Sequence, residues 1–375
     1  MDLQKLRSIS LIGGADVIGT VITSIFWFIL ASQISPNEFG ELFYYIGIAG
    51  TASAFVVLGS QNTITVLTSK NIKIESTLYF ISLILGIVAS FILMILFYRT
   101  DIIFLLFGYV INILSIGEIL GRKNFLLYSK HVLLQKALTL VLGLSFFYAF
   151  GIEGIILALS ITYIFFTIII FKRFKNTKIN FGLLKNHSKF IINNYLIEIF
   201  NKLNSHLNKF IIVPLLGFGI LGNFSLATQA VSLGLVFTVI VFKYIVPHDA
   251  QGEKNKRLKL ITFFIAVGFS CLGFFLSPII IPLLFEEYIE AVDAIRILSF
   301  SIIPITITRI YTSQFLGQEK SKRLLYSKIV SLITFVVAIL ILGPSYGIIG
   351  ISIGYLLSTI IESLLLIPKS QNTKN

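Results

Sequence analysis

Apolar stretches of membrane-spanning length follow one another along the whole chain, near 9–31, 39–67, 77–98, 101–120, 132–150, 153–171, 190–213, 219–246, 260–284, 294–316, 325–343 and 348–367. About 20 consecutive apolar residues carry an α-helix across a hydrocarbon core of about 30 Å. Lipid offers no partner to a free N–H or C=O, so such runs are confined to helices. At roughly 30 residues per span with its connection, the 375 residues hold about twelve helices and no sizeable soluble domain. The expected fold is an all-α integral membrane protein. Its charged fraction of 13% is about half that of a soluble domain. The run from Ile9 is too long for a signal-peptide core and lacks a small-residue cleavage site, so it reads as a retained first span.

Charge orients these spans. A net charge of +13 would suit nucleic acid only on a folded basic face. Here the basic residues sit between apolar runs, and no nucleic-acid partner is expected. With the N-terminus inside, alternate connections hold 24 of the 30 basic residues, from Lys5 and Arg7 through the segment 172–189 to Lys369 and Lys374. The opposite connections hold Arg99 and Arg296, and the outer segment 285–295 is acidic, with Glu286, Glu287, Glu290 and Asp293. Such a bias is the positive-inside pattern. It predicts a multi-pass plasma-membrane protein with both termini cytoplasmic.

The chain also repeats itself. Leu126-Leu127-Tyr128-Ser129-Lys130 recurs as Leu324-Leu325-Tyr326-Ser327-Lys328, Leu120-Gly121 as Leu316-Gly317, and Gly151-Ile152-Glu153-Gly154-Ile155 as Gly347-Ile348-Ile349-Gly350-Ile351. The three offsets lie between 196 and 198 residues, and a shared register marks an internal duplication. Six spans separate the copies, an even number. The expectation is two six-helix bundles in parallel repeat, 1–171 and 190–375, around a central cavity. The basic linker 172–189 joins them and reads as a solvated connection, with docking of a cytoplasmic partner or anionic lipid head groups as its functional alternative.

A charge at mid-bilayer costs at least about 2.5–3.5 kcal/mol, so each such residue needs a partner, water or a task. Four basic residues fall inside spans: Lys136, Lys202, Lys209 and Arg309. On the seventh span, Asn194, Glu198, Asn201, Lys202, Ser205, Asn208 and Lys209 recur at three- and four-residue steps and so share one stripe. Two readings compete. One is a hydrophilic cavity wall offering Lys202 and Lys209 to an anion. The other is a self-neutralising Glu198–Lys202 pair at i, i+4. His206 beside the stripe reads as a packing or hydrogen-bonding residue. Arg309, after the kink-prone Pro304, suits bidentate phosphate binding or a structural role equally. Lys136 is placed to snorkel, with a place in the substrate-binding set as its alternative. Asp16 in the first span is placed to pair with a base or to bind H⁺ or Na⁺. Glu118 and Glu362 read as solvated at span ends.

Several classes are excluded. A single cysteine, Cys271, permits neither a disulfide framework nor a cysteine metal cluster. His131, His187, His206 and His248 are scattered without metal-ligand spacing. There is no P-loop for an ATP-driven pump, and no cofactor or metal is expected. A secondary carrier remains rather than an enzyme.

Further motifs complete the reading. Ser35-Pro36-Asn37-Glu38-Phe39-Gly40 after the first span resembles a turn of Wzx-type polysaccharide flippases, in the multidrug/oligosaccharidyl-lipid/polysaccharide exporter superfamily. The segment 215–223, Leu-Leu-Gly-Phe-Gly-Ile-Leu-Gly-Asn, is similar to that family's turn before span eight. The segment 285–298 resembles its lead into span ten, Gly317-Gln318-Glu319-Lys320 its short loop, and Gly347 to Gly350 its opening of span twelve. The likeness runs from about residue 6 to 367. It implies two six-helix bundles that move a polyprenyl-diphosphate-linked glycan from the cytoplasmic to the outer leaflet. It also implies cationic residues that meet the diphosphate and sugars, here Lys202, Lys209 and Arg309; on the stripe itself Asn194, Asn201 and Ser205 offer hydrogen bonds to sugar hydroxyls, with Glu198 in the same substrate-binding set. Membrane lipids and glycan-assembly proteins are the expected partners, and the chain is expected to be a monomer. Asn208 stands where the family often has an acid, while Asp16 resembles the first-helix acid of related drug/cation antiporters. Such an antiporter is the rival reading within transport, and its usual cationic substrate sits poorly with a basic cavity. A membrane glycosyltransferase or polysaccharide polymerase is the rival outside it, with only 285–296 to supply outer-loop catalytic groups.

Overall fold

A computed structural model describes residues 3–58, 61–250, 255–317 and 321–367. Among them the regular structure is helical throughout. The elements are α1 (Leu3–Ala31), α2 (Pro36–Val56), α3 (Gln61–Ser69), α4 (Glu75–Phe97), α5 (Thr100–Gly121), α6 (Phe125–Phe150), α7 (Ile152–Ile161) and α8 (Thr167–Asn176). They continue with α9 (Phe181–Asn186), α10 (Ser188–Gly234), α11 (Val236–Ala250), α12 (Lys256–Leu284), α13 (Ala291–Ser299), α14 (Ile302–Gly317) and α15 (Ser321–Leu366).

Nine helices among the described residues are long and apolar enough to cross a membrane, or ten if the bent pair α13–α14 is one span. Two of the nine are each a pair of helices. α10 has 47 residues and α15 has 46, and a straight helix of that length would run about 70 Å. Each is instead divided at a non-helical glycine, Gly217 (φ 85°) in α10 and Gly347 (φ 55°) in α15. With both pairs divided and α13–α14 joined, the helical legs reach the twelve read from the sequence. The kink expected at Pro304 falls elsewhere. The 40° bend lies between Ser299 and Ile302, and Pro304 sits in the first turn of α14, where its missing N–H breaks no intrahelical bond.

The duplication is visible in backbone geometry. Gly151 between α6 and α7 has φ 67°, and its counterpart Gly347 has φ 55°. Each is followed three residues later by a glycine against the preceding helix. A Cβ on Gly154 would stand 2.6 Å from the carbonyl oxygen of Phe146, and one on Gly350 would run into that of Leu342. The same bend, contact and spacing recur 196 residues apart. Only glycine takes both the left-handed backbone and the close approach without strain.

By Cα proximity the chain forms two compact units: Met1–Phe26 with Glu41–Phe210, and Trp27–Gly40 with Ile211–Asn375. This division falls at Phe210, not at the basic linker. The first part of α10 joins the N-terminal unit because its side chains pack on α2, as described below.

Within the C-terminal unit, three segments that carry the sequence resemblance meet. α2 opens with a capping box: Glu38 Oε2 accepts from Ser35 N at 2.8 Å and Ser35 Oγ at 2.7 Å, with Pro36 as first helical residue. This turn lies on the 217–222 turn so closely that a Cβ on Gly40 would collide with the Phe218 carbonyl, and one on Gly222 with that of Pro36. The fully buried Phe39 packs edge-on against Tyr288 from the segment 285–298. The short loop Gln318 to Lys320, and the basic residues Lys254, Lys369 and Lys374, lie outside the described residues.

Candidate functional site

The polar stripe of α10 faces two environments. At its deep end, Gly47 and Gly50 of α2 open room for side chains of α10. Lys209 fills the first gap, with Cδ 2.8 Å from where a Gly47 Cβ would stand and Nζ 5.1 Å from the Phe43 ring centroid. His206 fills the second, its Nε2 2.7 Å from the corresponding point at Gly50. The imidazole Nδ1 and the Asn208 Oδ1 are buried without hydrogen-bond partners. His206 is therefore held by packing, and the hydrogen-bonding half of its expected role is absent. Further along, Asn194 donates to the Phe190 carbonyl at 2.9 Å and Ser205 to that of Asn201 at 2.9 Å. Asn201 and Ser205 are exposed, while Glu198 and Lys202 are half-buried and form no ion pair. The self-neutralising Glu198–Lys202 pair is not formed among the described residues.

A second cluster joins α1 to α6. Asp16 Oδ1 accepts from Tyr128 Oη at 2.7 Å. Lys136 lays its stem over Gly19, one turn beyond Asp16, with Cγ 3.1 Å from the position of a Gly19 Cβ, and stands within electrostatic reach of Asp16. Snorkelling alone does not describe it.

Arg309 belongs to a third cluster, in the C-terminal unit. Its guanidinium donates to Thr238 Oγ1 and, at 3.3 Å, to the Leu235 carbonyl, at the break between α10 and α11. It lines a cavity of about 420 Å³ together with Lys328, Glu362, Thr308, Thr312 and Thr359. The reading of Glu362 as an ordinarily solvated end residue is thereby corrected: it is half-buried, lines this cavity and lies under the field of Lys328. Tertiary packing brings Arg309, Lys328 and Glu362 to one cavity. Lys328 lies in the repeated pentapeptide, but its sequence position marks only a span end.

Glu118 is also misplaced by sequence reasoning. It is 3% exposed and accepts from Arg122 at 2.8 Å, from Tyr79 Oη at 2.7 Å and from Arg173. Arg122 reaches on to Glu75 at 3.3 Å, which also accepts from Thr68. A buried carboxylate is tolerated when paired and hydrogen-bonded, and this one ties α4, α5 and α8 together. Consequently the start of the linker is not a free solvated connection. Ser76 donates to the Arg173 carbonyl and pairs with Thr177, and Asn180 N donates to Thr77 Oγ1 at 2.8 Å.

No protein-family model matches the chain, and no curated protein sequence does. Solved structures do. A multidrug resistance MATE family transporter of the MOP superfamily, in an inward-facing conformation, matches with a TM-score of 0.69 at 16% identity, over 93% of this chain and 92% of that one. The lipid II flippase MurJ, in an inward closed conformation, matches with a TM-score of 0.65 at 17% identity, over 95% of this chain and 86% of that one. A MOP superfamily transporter from Pyrococcus furiosus, described as having a binding pocket of reverse polarity that suggests a different function, matches with a TM-score of 0.65 at 16% identity, over 96% and 94%. The chain is a multi-pass membrane protein with the fold of these transporters.

Proposed function

We propose that this protein is a flippase that moves a polyprenyl-diphosphate-linked oligosaccharide from the cytoplasmic to the outer leaflet, for surface polysaccharide assembly, by alternating access. The carrying observation is the sign of the charge on Arg309 and Lys209. Arg309, half-buried, lines a cavity with the exposed Lys328 and a single carboxylate. Lys209, on α10, approaches the Phe43 face and forms no ion pair. Basic groups held in low dielectric attract phosphate far better than they would in water. The likeness to a lipid II flippase supports this reading, as does the likeness to a transporter described as reversed in pocket polarity. On this reading both termini are cytoplasmic, in the plasma membrane. The two repeats are 1–171 and 190–375, with the first part of α10 packed in the N-terminal unit, and Lys202, Asn194, Asn201 and Ser205 accompany Lys209 along α10.

A drug/cation antiporter is the second reading, favoured by the MATE likeness and by Asp16 with its Tyr128 hydrogen bond on α1. Two assays separate them. In cells that depend on this chain for surface glycan, Arg309→Ala and Lys209→Ala lose export while the protein remains at normal abundance in the membrane. In vesicles, the wild-type protein moves no cationic dye. Retained export in both variants, or dye transport by the wild type, defeats the flippase reading.

A further inference from the structure

The cavity of the C-terminal unit carries its own anion. Arg309 comes from α14, Lys328 from α15 before Gly347, and Glu362 from α15 after it, with Thr308, Thr312 and Thr359 also lining the cavity. Arg309 is anchored from below by Thr238 and the Leu235 carbonyl, so its guanidinium is fixed in place. The Thr308 Oγ1 is buried with no hydrogen-bond partner. Among the described residues, the titratable or charged groups acting on Glu362 are Lys328, and Tyr355 two turns earlier on its own helix; Tyr355 in turn lies in the field of Arg309.

Two cations and one carboxylate leave the cavity with one net positive charge while it is empty. A phosphate-bearing group attracted by Arg309 and Lys328 would meet Glu362 as a like charge. Two anions sharing one site disfavour each other's ionised form, and the simplest relief is for one to gain a proton. A neutral carboxylic acid then has an O–H to donate to a phosphate oxygen.

We propose that Glu362 is the resident counter-anion of this cavity, and that a phosphate group entering to meet Arg309 and Lys328 is accompanied by one proton, taken from water onto a Glu362 carboxylate oxygen. The residue then changes from a competitor of the ligand into a hydrogen-bond donor to it. This rests on the phosphate-bearing substrate proposed above. By linkage, binding tightens as pH falls, by up to about tenfold per pH unit where Glu362 exchanges a full proton.

The test uses the full chain purified in detergent and inorganic pyrophosphate as probe. Calorimetric titration in two buffers of different ionisation enthalpy counts the protons taken up per anion bound. Protonation of pyrophosphate itself is common to every variant, so subtracting the Glu362→Gln count isolates Glu362. The wild type should take up as much as one proton more than Glu362→Gln, and Glu362→Gln should bind more tightly above neutral pH with a shallower pH dependence. Glu362→Asp, which keeps the carboxylate, should restore the extra proton. Equal proton counts in wild type and Glu362→Gln, with both binding, overturn the counter-anion role and leave the phosphate reading standing. Absence of binding in the wild type, or binding that Arg309→Ala leaves unchanged, overturns the phosphate reading and this proposal with it.

Discussion

The phenol Oη of Tyr288 donates a 2.9 Å hydrogen bond to the main-chain carbonyl of Ile34, joining residues 254 positions apart in the sequence. Tyr288 is 1% exposed. Burial, with Glu287 and Glu38 nearby, pushes its phenol up from the usual range, so it remains a donor at any physiological pH. Around it Phe39 and Phe285 pack edge-on. The turn after α1, the α10 glycine turn and the segment before α13 are thus bound into one cluster.

Tyr288→Phe keeps the ring and removes the donor, leaving the Ile34 carbonyl without it. A loss of about 1–3 kcal/mol is expected, read as a lower midpoint of thermal unfolding in detergent. Gly222→Ala should cost a similar amount, because its methyl would enter the space of the Pro36 carbonyl. Two variants of wild-type stability would show that this cluster does not hold the C-terminal unit together.

Glu118→Ala should be the most damaging single change in the N-terminal unit. It strands Arg173 and Tyr79 in a buried setting, and breaking such a pair costs about 3–5 kcal/mol. Arg122 is 44% exposed, so Arg122→Ala should cost much less than Arg173→Ala. Removing Glu118 and Arg173 together should cost less than the sum of the single losses, a non-additivity that a double-mutant cycle measures.

Gly151→Ala and Gly347→Ala test the repeat directly. Both glycines have left-handed φ at matching bends, and open space surrounds each Cβ position. The cost is therefore backbone strain alone, about 1–3 kcal/mol, and it should be nearly equal in the two variants by thermal unfolding. A large difference would mean that the two bends are not equivalent.

Glu198→Gln should leave stability within about 0.5 kcal/mol of the wild type, since Glu198 forms no ion pair with Lys202. A drop well beyond that on thermal unfolding would restore the pair as a structural element.

The helices were legible because lipid imposes a local rule. Every apolar run must satisfy its backbone internally, so length and hydropathy reveal the spans. The duplication was legible too, since Gly151 and Gly347 stand in the same register, but the left-handed bend at each came from the structure. Side-chain pairing was much less so. Spacing put Glu198 and Lys202 one turn apart, yet among the described residues they form no ion pair. Glu118 and Glu362 looked like span-end residues, and nothing local shows that Arg173, 55 positions away, or Lys328, on the other leg of α15, would come to them.

The sequence by itself determined where the chain is helical and where its charges fall along it, because these follow from interactions among near neighbours and with the lipid. The tertiary structure alone decided which of those charges meet. It placed Lys209 over Phe43 beside Gly47, and brought Glu362, Arg309 and Lys328 to line one cavity. Such meetings depend on how separate helices cross, and a side chain buried among them can be charged only where another helix supplies its partner.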